Sequence, residues 1–395
     1  YNIYASTLDQ ADVNVMHERI DQGANLLKNH VFQFDFLNND YSRLPQSLQN
    51  IINDPEKRKK LIIYINPPYA EATTAKTVSG TGENKIGVTT NFAVKEQLNS
   101  VIGNASNEFF ALFMAIILKR LPGCVLAQFS KLKFINGSNF KKFKSYFLAD
   151  YVSGFAVPGE TFDNVTGKFP IGFTIWDTKG KSKIDVISAD VYNKDGHYSG
   201  VKNFYGNLAD NINKWVKSFN DKNNTEVGLI VSCAPDFQHN SQLAILSRQQ
   251  KRYCFRISSQ NLIKMSIYFS VRHCIVPDWL NDRDQFSSPN NGWEDNIEFQ
   301  NDCLAYTLFH SQNRISCEEG NNNWIPFTEQ EVDAKEKFES NFMTDFIKGK
   351  IKTESKSDLF NEAKAKNKSL EFSEEATAVF DAGKKLWKYY HAQPG

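Results

Sequence analysis

The stretch that decides the fold is Leu61-Ile62-Ile63-Tyr64-Ile65-Asn66-Pro67-Pro68-Tyr69. Its first five residues form a continuous apolar run, which is typical of a strand buried on both faces of a parallel sheet. The run ends at Asn66 and two prolines, which cannot continue a central strand. Apolar runs and helical stretches alternate on both sides of this segment. The alternation predicts an α/β fold built on an open, doubly wound, mostly parallel sheet.

The alternation covers the first 180 residues. Strands are predicted at 2–8, 31–37, 61–65, 124–129, 151–157 and 171–176, and helices at 10–28, 106–121 and 139–147. Residues 70–104 are rich in Thr, Gly, Ser and Asn, so we expect a long loop there that is mobile or functional.

The pattern changes after about residue 180. Asn193-Lys194-Asp195-Gly196 is a hairpin signal, and short apolar runs then follow among polar loops. These later strands are expected at 227–233, 252–257 and 265–271. A capping box at Thr328 and Glu331 and a last helix from Ser373 to Tyr390 make the end of the chain helical. We therefore predict two domains, a catalytic domain at 1–185 and a mixed α+β recognition domain at 186–395.

The composition narrows the class of protein. With 41% apolar and 23% charged residues and a net charge of +1, the 395-residue chain is neither disordered nor collagen-like. Its longest apolar run, Phe109 to Leu118, is about half of what a bilayer requires, and no export signal opens at Tyr1. We expect a cytoplasmic protein with no membrane partner. Six scattered cysteines without a C-x-x-C pair predict neither a zinc site nor disulfides, so no metal is expected.

Local basic patches could bind nucleic acid even though the net charge is near zero. Two of them, at 131–144 and 248–256, supply the candidate DNA-binding residues. An ordinary solvated surface is the alternative for each patch. The candidates are Lys131, Lys133, Lys141, Lys142, Arg248, Lys251 and Arg252.

The segment Asn66 to Tyr69 has a specific chemical meaning. Prolines after a strand hold the backbone extended, so the Asn66 side chain and the Pro67 carbonyl can both point out of the sheet as acceptors. Two converging acceptors suit an amino group, and Tyr69 offers a flat face for a planar ring. Ligands of open α/β sheets bind beyond the carboxyl ends of the strands, where this segment lies. The alternative is a rigid turn with an exposed tyrosine.

Residues 1 to 180 resemble a known family, the S-adenosylmethionine-dependent methyltransferases that modify exocyclic amino groups. Among them, the chain is similar to the adenine-specific DNA methyltransferases of restriction-modification systems. Asn66, Pro67, Pro68 and Tyr69 match the family's catalytic motif. The motifs run straight along the chain, which implies that the recognition domain follows at the C-terminus.

The resemblance also implies roles for residues outside that motif. In Phe34-Asp35-Phe36-Leu37, it implies that Asp35 holds the cofactor's adenine amino group and that Phe36 lies against the ring. Phe162 is implied to pack against the flipped base, with Phe169 as the alternative. For the acidic residue that binds the cofactor ribose, Thr7 falls at the aligned position and Asp9 is two residues on, so Asp9 is assigned with a helix cap as its alternative role.

One expected feature is missing from the sequence. The family's glycine-rich segment should follow a strand that lies between strands 2–8 and 61–65, and nothing before Asn2 can supply it. We expect residues upstream of Tyr1, or another chain, to complete the sheet.

The predicted function is methyl transfer from S-adenosylmethionine to the amino group of adenine in double-stranded DNA. The same four residues could instead act on guanine in RNA or on glutamine side chains of a protein. A third possibility is a non-catalytic DNA-binding or specificity component. The roughly 200 residues after Asp177 favour DNA, because the relatives acting on the other substrates carry a small recognition domain before the sheet.

Overall fold

A computed structural model describes residues 3–67, 93–163, 165, 169–207, 210–224, 226–247, 254–314 and 373–391 of the chain. Internal contacts divide it into two compact units. Unit 1 comprises Tyr1–Asn207 together with Asp278–Asp284, and unit 2 comprises Leu208–Pro277 and Gln285–Gly395. The boundary was expected at residue 185, about twenty residues earlier. It lies later because the predicted hairpin belongs to the sheet of unit 1.

Unit 1 is built on a six-stranded sheet with the strand order β3-β4-β6-β5-β7-β8. The strands are β3 (Ile62–Ile65), β4 (Val125–Lys131), β5 (Asp150–Pro158), β6 (Pro170–Asp177), β7 (Val186–Tyr192) and β8 (Tyr198–Tyr205). The predicted hairpin is confirmed, with β7 and β8 antiparallel around the turn at Asn193.

The strand directions correct the expectation of a mostly parallel sheet. Only β3 with β4 and β5 with β7 are parallel, whereas β6 is antiparallel to both of its neighbours and β7 to β8. The connection between β5 and β6 has only eleven residues, and its only described helix is a single 3-10 turn, Gly159–Thr161. A parallel partner needs a longer crossover, so this short connection returns the chain antiparallel. The fold is a mixed α/β sheet.

The first two strands form a separate pair. β1 (Ala5–Thr7) and β2 (Val31–Gln33) are parallel and pair only with each other among the described residues. β3 has a single described neighbour, β4. Among the described residues of unit 1, β1 is therefore an edge strand of the two-stranded sheet and β3 is an edge strand of the six-stranded sheet.

The described helices of unit 1 include the three that the sequence predicted, with shifted ends, and four that it did not predict. They are α1 (Gln10–Asp21), α2 (Gln46–Ile52), α3 (Pro55–Arg58), α4 (Ala93–Ile102), α5 (Phe109–Arg120), α6 (Lys133–Asn136) and α7 (Lys141–Tyr146). α1 was predicted to reach Lys28 but ends at Asp21, because Gly23 adopts a left-handed conformation with φ 106°. α4 occupies part of the expected loop at 70–104, and residues 68–92 lie outside the described part.

The core of unit 1 lies between α5 and one face of the six-stranded sheet. α5 is apolar on nearly all sides, and its residues Leu112, Met114 and Ile117 are buried. Trp176 of β6 is buried on the same side and makes edge contacts with Phe134. This packing holds β3, β4 and β6 in place, and so sets the position of the residues that follow β3.

Unit 2 has a small sheet in the order β11-β9-β10-β12, together with helices. Its strands are β9 (Gly228–Val231), β10 (Ile245–Leu246), β11 (Cys254–Ile257) and β12 (Asn313–Arg314), and its helices are α8 (Ile212–Lys217), α9 (Leu262–His273), α10 (Ile297–Phe309) and α11 (Glu374–His391). The strand predicted at 265–271 is wrong, because that run forms part of α9. A short apolar run suits a buried helix as well as a strand.

The last helix begins where the sequence predicted. The Ser373 hydroxyl accepts from the amide of Ala376 at 3.2 Å, so it caps α11. The predicted capping box at Thr328 and Glu331 lies outside the described residues. Among the helices that the structure describes, none is long and apolar enough to span a membrane.

Candidate active site at the carboxyl end of the sheet

Asn66 directly follows the last residue of β3. Ile65 pairs with Gln128 of the parallel strand β4, so Asn66 lies level with Phe129 and Pro67 with Ser130. Asn66 is exposed and Pro67 is buried. The turn therefore presents the Asn66 amide beyond the carboxyl end of a parallel pair, where the sequence placed it. Pro68 and Tyr69 lie outside the described residues.

Phe162 lies beside this strand end. Its ring centroid is 5.3 Å from that of Phe129, and the two rings meet edge to face. Phe162 is only partly buried. The structure thus brings Phe162, which comes almost a hundred residues later, to the strand next to Asn66.

An aromatic row crosses the sheet on this face, and the sequence did not reveal it. Tyr64 packs against Phe173 with ring centroids 6.1 Å apart, and Phe173 packs against Phe155 at 5.3 Å. Phe129 contacts all three of these rings. Successive side chains of a strand point to opposite faces of a sheet, and these four rings all lie on one face. Only the strand register shows that they are neighbours. We call Tyr64, Phe129, Phe173 and Phe155 the aromatic row.

Phe169, the alternative stacking residue, is 8% exposed. The ammonium group of Lys131 lies 5.6 Å from the centre of its ring. A ring covered in this way has less surface to offer a base than the partly exposed Phe162.

Asp35 follows β2, and its carboxylate organises the next turn. Oδ1 accepts from the amides of Leu37 and Asn38, both at 3.0 Å, and Oδ2 accepts from the Asn38 side chain at 2.8 Å. A carboxylate has about four acceptor positions, so these bonds leave room for one more donor. The arrangement fits an amino group as a fourth donor.

Phe36 lies in an aromatic cluster at the same strand end. Its ring is 5.7 Å from Phe113 of α5 and 5.5 Å from Tyr41, and burial raises the pKa of the Tyr41 hydroxyl. Phe36 itself is only partly buried. One part of its ring is held by the core, and the exposed part can contact a planar ligand. Asp35 and Phe36 therefore fit the adenine end of S-adenosylmethionine.

Asp9 is a helix cap, which was the alternative to its predicted role in binding the cofactor ribose. Its backbone is extended, and Oδ1 accepts from the Ala11 amide at 2.8 Å, so it caps α1. The residue lies two positions beyond β1, again past the carboxyl end of a strand.

Buried polar side chains lie under the site and were missed by the sequence. Gln128 and Ser130 project from β4 with no exposed surface, and neither Gln128 Oε1 nor Ser130 Oγ has a described hydrogen-bond partner. Glu108, just before α5, forms an ion pair with Lys133 and is also buried. Polar groups in a core are costly unless satisfied, so these three side chains differ from ordinary packing.

The predicted DNA-binding lysines fall into different environments. Lys141 and Lys142 are exposed on α7, whereas the ammonium group of Lys133 is paired with Glu108. Burial lowers the pKa of the neighbouring Lys144, whose ammonium group donates to the Ile135 carbonyl at 2.9 Å. Arg248, Lys251 and Arg252 lie outside the described residues. Within the described part of the chain, no three His, Cys, Asp or Glu side chains are arranged to hold a metal ion.

Comparison with known proteins gives weak structural likenesses. No protein-family model and no curated protein matches the chain. The M protein of the type I restriction enzyme EcoKI is 11% identical with a TM-score of 0.29, over 48% of this chain and 35% of that one. A nuclease-deletion mutant of the Type ISP enzyme LlaGI, in complex with a DNA substrate mimic, is 9% identical with a TM-score of 0.37, over 69% of this chain and 30% of that one.

A modification subunit from Vibrio vulnificus YJ016 is 16% identical with a TM-score of 0.23, over 34% of this chain and 28% of that one. The chain thus spans about a third of the length of each of these three proteins.

Proposed function

We propose that the protein transfers a methyl group from S-adenosylmethionine to the exocyclic amino group of adenine in a specific DNA sequence. It is the modification part of a restriction-modification system and works in the cytoplasm. The observation that carries the proposal is the position of Asn66 and Pro67. They follow a parallel strand directly, level with Phe129, and Phe162 lies beside that residue.

The chemistry follows from the two acceptors. The side-chain carbonyl of Asn66 and the backbone carbonyl of Pro67 each accept one proton of the target amino group. These bonds turn the nitrogen lone pair away from the ring and toward the incoming methyl carbon. S-Adenosylmethionine would supply that carbon from its positively charged sulfur, with the carbon–sulfur bond breaking as the carbon–nitrogen bond forms, a neutral thioether leaving and one amino proton passing to water. Pro67 and Pro68 hold the two acceptors in place, so catalysis is mainly positioning and requires no general base.

The target adenine must leave the duplex before it can reach Asn66. Extrusion costs a few kcal/mol, and stacking on an aromatic ring returns about 1 to 3 kcal/mol. Tyr69 supplies one face for the base, and Phe162, which contacts Phe129 of β4, packs against the base as well. Phe169 is the weaker candidate because its ring is buried under Lys131.

The cofactor lies at the other strand ends. Asp35 accepts from its adenine amino group with the carboxylate position that the turn leaves open, and Phe36 lies against the adenine ring. Asp9 holds the ribose while it caps α1. The carboxylates and the aromatic ring are all one or a few residues beyond a strand end.

DNA is bound through lysines around the site and through the second region of the chain. Exposed Lys141 and Lys142 contact phosphates, together with Lys131, Arg248, Lys251 and Arg252. Lys133 contacts a phosphate while its ammonium group stays paired with Glu108. The catalytic region at 1–185 and the recognition region at 186–395 divide the work. Unit 1 extends the catalytic region to Asn207.

The proposal includes one further strand between β1 and β3. Each of these strands has a single described partner, and each is parallel to it. A strand placed between them carries the family's glycine-rich segment.

The test compares acceptors under identical conditions. The protein is incubated with tritium-labelled S-adenosylmethionine and unmethylated plasmid DNA, ribosomal RNA or a mixture of proteins. The proposal predicts incorporation into DNA alone. Incorporation into RNA or protein would assign the same residues to guanine or glutamine. Binding of DNA with no incorporation, in a protein that binds S-adenosylmethionine, would assign the chain to the non-catalytic components.

A further inference from the structure

Arg283 lies in unit 1, although the 70 residues of Leu208–Pro277 in unit 2 separate its segment from the rest of that unit in sequence. The segment Asp278–Asp284 is anchored at its end. The carboxylate of Asp284 pairs with Lys202 of β8 at 2.6 Å and accepts from Asn136 at 3.3 Å. Lys202 also donates to the Leu280 carbonyl at 2.9 Å. These bonds hold Arg283 at a defined place on unit 1.

At that place Arg283 contacts the ring of Phe169. The Arg283 guanidinium carbon is 5.5 Å from the ring centre, and the Lys131 ammonium nitrogen is 5.6 Å from the same point. The two charges therefore lie no more than about 11 Å apart. Asp282 pairs with Nε of Arg283 at 3.2 Å, and it is much less exposed than the arginine, at 11% against 30% of the side chain. Cationic groups of two separate segments thus lie against the same aromatic ring.

The strand register relates this point to the proposed site. Asn66 is level with Phe129, and Lys131 is two residues farther along the adjacent strand β4. With about 3.3 Å per residue and 4.8 Å between strands, the two Cα atoms are roughly 8 Å apart. Phe169 directly precedes β6, on the far side of β4. Lys131 and the Phe169 ring that both cations contact therefore lie at the carboxyl end of β4, which is the end of the sheet where Asn66 lies.

We propose that Arg283 and Lys131 form a clamp for a backbone phosphate of the DNA strand that carries the target base. This inference rests on the proposed function. Phe169 serves as the support that sets the spacing of the two charges, which gives a buried ring a role other than stacking on the base. Arginine and lysine at this distance from Asn66 bind the phosphodiester while the base enters the site. They position the strand and carry no sequence information.

The experiment measures how binding depends on salt. A fluorescein-labelled 30-base-pair DNA duplex is titrated with the full chain at several NaCl concentrations, and binding is followed by anisotropy. The variants are Arg283→Gln and Lys131→Gln. Each should reduce the slope of log K against log salt by about 1 and weaken binding to every duplex sequence alike. The matched control is Lys119→Gln, since exposed Lys119 lies at the end of α5, near the amino end of β4.

A charge-preserving variant separates a phosphate contact from a structural role. Arg283→Lys should restore most of the slope, and the thermal midpoints of all variants show whether each still folds. Slopes equal to that of the wild type, with or without a lowered midpoint, would show that the two cations only cover Phe169. If the wild type methylates DNA and the slopes do not change, only the clamp is wrong. If the wild type binds no duplex, the proposed function and the clamp both fail.

Discussion

Asp9 shows how one carboxylate can have two roles that separate variants distinguish. It caps α1 through a hydrogen bond of 2.8 Å and is also proposed to bind the cofactor ribose. Asp9→Ala removes both functions and should lower the free energy of unfolding by about 1 kcal/mol. Asp9→Ser retains a capping oxygen and should keep the stability within a few tenths of a kcal/mol.

Calorimetric titration with S-adenosylmethionine then isolates the second role. Both variants should bind the cofactor more weakly than the wild type, because neither has a carboxylate for the ribose. If Asp9→Ser binds the cofactor as tightly as the wild type does, Asp9 is only a helix cap.

Two substitutions of Tyr69 test whether its ring stacks on the target base. Tyr69→Phe should be nearly neutral, because stacking needs the ring and not the hydroxyl. Tyr69→Ala should lose about 1 to 3 kcal/mol of base capture, which corresponds to a rise of roughly 5 to 150-fold in the KM for plasmid DNA. Steady-state methylation measures both variants. A Phe variant as inactive as the Ala variant would show that the hydroxyl takes part and that stacking is the wrong role.

Among the elements, the pair α9 and α10 carries a pH-dependent contact. His273 at the end of α9 packs against His310, which follows α10, with ring centroids 4.3 Å apart. Burial, and then the neighbouring His310, lower the pKa of His273 to about 4, and burial also lowers the pKa of His310. His273 Nε2 donates to the Leu243 carbonyl at 3.0 Å, which the neutral ring can do.

The sign of the pH dependence follows from these shifts. Between pH 6.5 and about 4, the unfolded chain binds more protons at His273 than the folded chain does. The stabilisation that comes from the neutral form of His273 is therefore fully present above pH 6.5. It is lost as the pH falls toward about 4. After allowance for solvent screening, the loss from pH 7 to pH 5 should be on the order of 1 kcal/mol.

Urea unfolding of the full chain at the two pH values measures this loss. His273→Gln retains a donor for the Leu243 carbonyl and cannot be protonated, so its stability should change less between pH 7 and pH 5. His197→Gln, at an exposed hairpin position, is the matched control and should behave like the wild type. An equal pH dependence in His273→Gln and the wild type would exclude this contact as the cause.

The elements also show what a single sequence can predict. The strand predicted at 61–65 is β3 (Ile62–Ile65), and that predicted at 171–176 lies within β6, because continuous apolar runs beside turn residues mark strands. The prediction that β3 is buried on both faces is wrong, since Ile62 and Tyr64 are exposed. The run at 265–271 was misassigned, since a buried helix gives the same pattern over seven residues. Strand direction was also missed, because it depends on the length of the connections and on pairing between distant residues.

The candidate site was predictable where neighbours in sequence are neighbours in space. Asn66 and Asp35 were predicted from the residues beside them and stay predictions. The pair formed by Glu108 and Lys133 was not found, because it joins residues 25 positions apart. Arg283 is separated from Lys131 by a whole region of chain, and no local pattern relates them. Contacts of this kind appear only when the fold is known.

On the scale of the whole molecule, the arrangement of unit 1 makes β3 an edge strand among the described residues. Its amides have β4 on one side only, so about half of them should exchange rapidly with solvent. Hydrogen exchange of the chain, followed by mass spectrometry, should show faster exchange in Ile62–Ile65 than in β6, which has neighbours on both sides. Equal protection of β3 and β6 would show that the second edge of β3 is already paired and that no further strand belongs there.

The central claim is that Asn66 directs a methyl group to the amino nitrogen of adenine in DNA. The most direct test follows transfer from tritium-labelled S-adenosylmethionine to plasmid DNA, with the labelled nucleoside identified after digestion. Asn14→Ala, a change at an exposed asparagine of α1, is the matched control, and Asn66→Asp retains an acceptor at the site.

The wild type and Asn14→Ala should place the label in N6-methyladenine. Asn66→Ala should lower the rate about a hundredfold or more, because it removes an acceptor for the reacting amino group, and the thermal midpoint shows whether the variant still folds. Asn66→Asp should retain more activity than Asn66→Ala. Activity of Asn66→Ala within about tenfold of the wild type, or label in any other nucleoside, would contradict the assignment.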